Sequence, residues 1–168
     1  MAKPEQTAAD ADAIARTHPA VDTLRNRRGR PLIVRPSAPH RGEKEGSQLV
    51  AYFDYDENAS VVAVVDAKAK TVISAEQVPV TFQLSDLERR EAEALAARDV
   101  RVIEKLRGRD MNPLTRLYFP RRTSSDARRH RFAIVFLRPN NHERCYAIVD
   151  LSANEVVDVL TRDALTGR

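Results

Sequence analysis

Apolar and polar positions along this 168-residue chain change period several times, and each change marks an element. Ala11, Ile14, Ala15 and His18 recur at helical spacing and predict an amphipathic helix of about ten residues from Ala8. Pro19 ends it and suits the first position of a second, short helix through Val21 and Leu24, which Thr17 or His18 can cap. Leu32 to Arg35 predicts a short strand entering a loop at Pro36, and Ser37 to Ser47, with Pro39, Gly42 and Gly46 among charges, reads as an exposed connection. The period then shortens to two. Gln48 to Tyr55, Ser60 to Val65 and Thr71 to Val80 predict three strands joined by tight turns, the third interrupted at Pro79.

Ser85 followed by Glu88 is the signature of a capping box, and Leu87, Ala92, Leu95 and Ala96 predict the inward face of the helix it opens. The same reading leaves Glu88, Arg89, Arg90 and Glu91 outside. Asp99 then caps a short helix through Val102, Ile103 and Leu106 that ends at Gly108. A strand at Leu117 to Pro120, an arginine-rich loop at Arg121 to Arg131, and strands at Phe132 to Leu137, Arg144 to Val149 and Glu155 to Leu160 complete the chain.

This second series resembles the first. Leu49 to Ala75, laid without gaps on Ala133 to Val159, is identical at Ala63/Ala147, Val65/Val149, Asp66/Asp150, Ala69/Ala153 and Val72/Val156. Fifteen of the 27 pairs are apolar in both copies, which points to a duplicated structural unit. At the same offset Ile33 to Pro36 falls on Leu117 to Pro120. The expectation is an α+β fold of two tandem cystatin-like units, residues 8–82 and 83–162, each a helix packed on a four-stranded antiparallel sheet. Both strand faces are rather apolar, so the face away from the helix needs a cover, from the other half or from another subunit.

Composition narrows the class. Apolar residues make up 42% and aromatics 5% with no Trp, so the core is built from Val, Ala, Leu and Ile. The net charge of +4 is carried by 23 Arg and five Lys, a bias that a GC-rich genome also produces, and it is weak evidence for nucleic acid. Cys145 is the only cysteine, which excludes an intramolecular disulfide. The first twenty residues carry Glu5, Asp10 and Asp12 without an apolar run, unlike a signal peptide, and no stretch approaches the roughly 18 apolar residues of a membrane span, so the expected compartment is the cytoplasm.

The run Leu84 to Gly108, with Val61 to Val72, resembles the small N-terminal domains that precede the catalytic domain of copper amine oxidases. Arg131 to Phe136 with Tyr146 to Val157 is similar to the second of those domains. The resemblance spans about residues 8–160 and implies two cystatin-like domains that serve in packing and dimer architecture. It does not carry the oxidase: Tyr55 lies in Phe53-Asp54-Tyr55-Asp56 without the asparagine of the family's quinone-forming tyrosine, and His18, His40, His130 and His142 include no His-X-His.

Candidate chemistry is sparse. Arg121, Arg122, Arg128, Arg129 and Arg131, with His130, crowd a loop that has no like-charged counterpart in the first half, and such a cluster suits a phosphate, a carboxylate ligand or an acidic partner. The competing reading is a solvated loop. Tyr52, Tyr118, Phe136, His142, Cys145 and Tyr146 are candidates to line a small-molecule pocket between sheet and helix, or simply core. His142 and Cys145 are possible soft metal ligands, but nothing completes a tetrahedral set, so neither a metal nor another cofactor is expected. Cys145 with a histidine is formally a nucleophile and base, although a lone Cys among Val, Ile and Tyr is ordinarily a small core residue. Asp66 and Asp150 are better turn residues than paired catalytic carboxylates.

The expected function is therefore a non-catalytic binding or scaffold protein that self-associates as a homodimer, or joins a protein partner, or holds a small anionic ligand. The alternative is a cofactor-free biosynthetic enzyme, a cyclase or isomerase, working in an internal apolar pocket. Nucleic-acid binding ranks third, because no aromatic recognition motif accompanies the arginines.

Overall fold

The computed structural model describes residues 4–25, 30–36, 47–107, 112–120, 130–137 and 145–161. The chain divides into two compact units, Met1–Phe82 and Gln83–Arg168. The fold is α+β, with two antiparallel sheets of four strands each, ordered sequentially.

In the first unit, helix α1 (Pro4–Ala15) begins four residues earlier than the apolar period indicates, because proline is welcome at the first helical position. His18 caps α2 (Pro19–Asp22), its Nδ1 accepting from the Ala20 amide at 3.3 Å, and a 3₁₀ turn over Thr23–Arg25 follows. Strands β1 (Arg30–Pro36), β2 (Ser47–Asp54), β3 (Ala59–Asp66) and β4 (Thr71–Val78) form the sheet, β4 ending where Pro79 withdraws a ladder donor. Ala11, Ala15, Val21 and Leu24 share one buried cluster with Val50 and Tyr52 of β2 and with Val61, Ala63 and Val65 of β3. Strand alternation sends Leu49, Ala51 and Phe53 to the opposite face.

Asp12 ties helix to sheet. Its carboxylate accepts from the Tyr52 hydroxyl at 2.7 Å and from Arg16 Nε at 3.1 Å, while the Arg16 guanidinium lies 5.4 Å from the Tyr52 ring centroid.

The second unit holds α3 (Asp86–Arg98), α4 (Val100–Leu106), β5 (Pro113–Tyr118), β6 (Phe132–Leu137), β7 (Cys145–Asp150) and β8 (Glu155–Thr161). The Ser85 capping box is formed in full. The face of α3, however, is rotated from the predicted one: Glu88 is buried with Ala92 and Ala96, whereas Leu87 is exposed. Asp99 caps α4 through the Arg101 amide at 2.9 Å, and the helix closes on Arg107 in the left-handed region (φ 51°) rather than at Gly108, which lies outside the described residues.

Register corrects the gapless offset of 84. It holds for β3 and β4 against β7 and β8: Ala63 pairs with Ala75 as Ala147 pairs with Val159, and both ladders slip at the matching place, between Val64 and Val65 and between Ile148 and Val149. Lys70 and Asn154, 84 apart, both take positive φ in the following turns. It fails before that. Val50 pairs with Ala63, but Val135 pairs with Ala147, so β2 and β6 correspond at an offset of 85. The strands β1 and β5 correspond at 81, since Val34 and Thr115 pair with Val50 and Val135. Pro36 and Pro120 are therefore not equivalent; β5 ends at Tyr118 and is not the predicted Leu117 to Pro120. The helices share the offset of 81, which sets Ala92 and Ala96 where Ala11 and Ala15 stand, and Glu93 where Asp12 stands. Glu93 also reaches a hydroxyl on its sheet, accepting from Thr115 Oγ1 at 2.7 Å.

Candidate functional site

The sequence order His130-Arg131-Phe132 puts three different side chains at the entry of β6, beside the turn that leaves β7. Phe132 stands across from Asp150, so the neighbours of these residues meet the carboxylate and the turn after it. Asp150 closes that turn by accepting from the Ser152 and Ala153 amides at 2.9 and 3.0 Å through Oδ1. Asp66 does the same for Lys68 and Ala69, as expected of an aspartate whose carboxylate bonds the backbone two and three residues on.

Asp150 has a second task. Its Oδ2 lies 2.6 Å from His130 Nδ1, and the imidazole is stacked on Phe132 with centroids 6.3 Å apart. A carboxylate only accepts, so it selects the tautomer with the proton on Nδ1 and leaves Nε2 as the basic atom. Nε2 makes no hydrogen bond among the described residues. The His130 side chain is 32% exposed and the Asp150 side chain 6%.

Arg131 departs from the sequence reading. Grouped by sequence with the exposed arginines, it is fully buried as a side chain and paired with Glu88, also fully buried. Its Nε donates to Glu88 Oε1, and Nη2 donates to Glu88 Oε2 at 3.1 Å and to the Gln83 carbonyl at 3.0 Å. Glu88 Oε2 also accepts from the Ser85 amide at 2.7 Å and the Ser85 hydroxyl at 3.0 Å. The Arg131 backbone amide donates to Ser152 Oγ at 3.0 Å, and its carbonyl accepts from Leu151 at 2.8 Å. A single network thus runs from Ser85 at the start of α3 to His130. A guanidinium committed this way is not presented to an anion in solvent, because the buried carboxylate would be left uncompensated.

Of the remaining cluster, Arg121, Arg122, Arg128 and Arg129 lie outside the described residues, as does His142. Within the second unit, the described pocket candidates do not share one face of the sheet. Tyr52 belongs to the first unit and is held by Asp12; burial, then the Asp12 hydrogen bond, pushes its phenol well above the usual tyrosine range. Phe136 and Tyr146 meet edge to face at 5.3 Å on one side of the second sheet, while Cys145, paired with Leu137, points to the other. Tyr118 stands across from Phe132. Cys145 is buried at the far end of β7 from Asp150, about 17 Å along the strand, which separates it from His130 as nucleophile from base.

The His130–Asp150 pair and the Arg131–Glu88 pair were not legible as partners, since their members stand 20 and 43 positions apart. The one available signal was Glu88 itself, an acid on the helical face that also carries Ala92 and Ala96. Among the described residues, no group of three or more His, Cys, Asp or Glu side chains stands close enough to hold a metal ion, and no helix is long and apolar enough to cross a membrane. No protein-family model matches the chain, and no curated protein matches it at a significant level.

Proposed function

We propose that the chain is a non-catalytic association module: two tandem cystatin-like units derived from one by internal duplication, resembling the N-terminal domains of copper amine oxidases and assembling with a second copy or a protein partner. The observation that carries this reading is the use to which its reactive side chains are put. Arg131 neutralises Glu88, Asp12 anchors Tyr52, and Asp66 and Asp150 close turns, so their chemistry is spent on holding helices and turns to sheets. The matched ladder slips and the matched positive-φ turn positions Lys70 and Asn154 support the duplication. A small anion at Arg121, Arg122, Arg128 and Arg129 is a subsidiary role. Sedimentation equilibrium of the full chain tests the association, with a mass above that of the 18.9 kDa monomer expected. Calorimetric titration with inorganic phosphate tests the anion. A strictly monomeric chain with no heat of binding would remove both supports.

One observation favours the enzymatic alternative, a cofactor-free cyclase or isomerase. His130, oriented by Asp150 with Nε2 as its basic atom, has the arrangement of a general base. That alternative predicts that native mass spectrometry of the purified chain shows a small organic molecule retained by the wild type and lost in His130→Asn.

A further inference from the structure

Each four-stranded sheet has two outer strands, and an outer strand presents a row of peptide groups able to pair with another chain. Three of the four carry devices that discourage such pairing. β1 contains Pro31 and Pro36, which lack an N–H. β5 opens on Pro113 and carries exposed Arg116. β8 is blocked directly: Arg101, held by Asp99, donates to the Val156 carbonyl at 2.6 Å and the Val157 carbonyl at 3.5 Å.

β4 differs. It runs eight residues, Thr71–Val78, without proline or a basic side chain, and Glu76 is its only charge. Thr71, Ile73, Ser74, Glu76 and Gln77 are exposed, Ile73 at 47%. By the helix offset of 81, Ala20 stands where Arg101 stands in the second unit, and among the described residues no side chain donates to a β4 carbonyl. The ladder slip leaves Ile73 without a partner on β3, and beyond it Ser74 to Val78 pair regularly with Val64 to Ser60.

We propose that the outer edge of β4 pairs antiparallel with β4 of a second copy. This rests on the association reading above and names its surface. A two-fold axis normal to the sheet must pass through one residue, because antiparallel neighbours opposite each other share a face. Centred on Ala75, it sets Ala75 against Ala75, and Ser74 against Glu76 in both directions. No like charges meet, and the smallest side chain of the strand lies on the axis. Centring on Glu76 instead would oppose two carboxylates. The paired sheets then form one sheet of eight strands.

Sedimentation equilibrium of the full chain and two surface variants, at protein concentrations up to about 1 mM, tests the pairing. Ser74→Lys sets an ammonium opposite Glu76 of the other copy and keeps or tightens the dimer. The double variant Ser74→Lys/Glu76→Lys opposes two pairs of like charges and raises the dissociation constant about tenfold or more. Amide exchange of the wild type supplies a readout independent of the variants: Ser74 to Val78 exchange more slowly as concentration rises. A wild type that is dimeric, with the double variant equally tight or β4 exchange independent of concentration, overturns the β4 pairing and leaves association standing. A wild type that stays monomeric overturns both.

Discussion

Arg131 and Glu88 neutralise one another with both side chains fully buried, although 43 residues separate them in the chain. Removing one partner strands the other charge away from water, which typically costs about 3–5 kcal/mol. Arg131→Met or Glu88→Gln is therefore expected to destabilise the second unit by that order. The double variant Arg131→Met/Glu88→Gln buries no charge and keeps an acceptor for the Ser85 cap, so its loss is smaller than the sum of the singles. Chemical denaturation of the four proteins in a double-mutant cycle checks this, and additive losses would show that the pair is not coupled.

Tyr52 predicts an alkaline signature. Burial and the Asp12 carboxylate raise its phenol in the folded state. The stability this confers is complete below the pKa of an unfolded tyrosine, about 10, and drains away above it as the unfolded chain ionises while the folded one does not. Unfolding free energy should fall more steeply above pH ~10 in the wild type than in Tyr52→Phe. At neutral pH the same substitution costs about 1 kcal/mol for the lost hydrogen bond. Equal alkaline slopes would contradict the assignment.

Asp99 predicts the opposite limb. The hydrogen bond from Arg101 holds its carboxyl below the usual aspartate value, with further help from the Arg101 backbone amide. Its contribution is present above the unfolded pKa of about 3.9 and is lost as pH falls through the lower folded value. Asp99→Ala should weaken α4 by about 1 kcal/mol near neutrality. Asp99→Asn, still a good cap, should lose less at neutral pH and show a flatter acid response. Amide exchange in α4 across the acid range reads both.

Two equivalent turn aspartates give a matched control. Asp66 accepts from the Lys68 and Ala69 amides in its turn, and Asp150, which closes its own turn in the same way, also holds His130 and is buried. Asp150→Ala should therefore cost about 1–3 kcal/mol, more than Asp66→Ala, by thermal or chemical denaturation. His130→Ala, which leaves the turn bonds intact, should cost less than Asp150→Ala. The reverse order would make the imidazole contact, not the turn, the dominant one.

These contacts show what could be read beforehand. Local signals were legible: Ser85 with Glu88, Asp99, Asp66 and Asp150 all act as their spacing implied, because each bonds the backbone within three residues. Glu88 was misplaced because its burial depends on Arg131, whose arrival beside α3 no local period encodes. The strand correspondence slipped by one residue at β6 because the paired Val135 and Ala147 are 12 apart in sequence where the paired Val50 and Ala63 are 13 apart; a slip of one exchanges the two faces of a strand. The early offset therefore assigned Ile134 and Phe136 the places of Val50 and Tyr52, which by register belong to Val135 and Leu137.

Arg101 joins residues made far apart in time. It leaves the ribosome with α4, but the Val156 carbonyl it bonds follows 55 residues later. Domains generally fold as units as synthesis proceeds from the N-terminus. The start of α4 can thus complete its tertiary contacts only once β8 has emerged, and a released chain truncated before Glu155 should expose Val149 and its β7 neighbours to a chaperone while the first sheet, whose strands end at Val78, is whole.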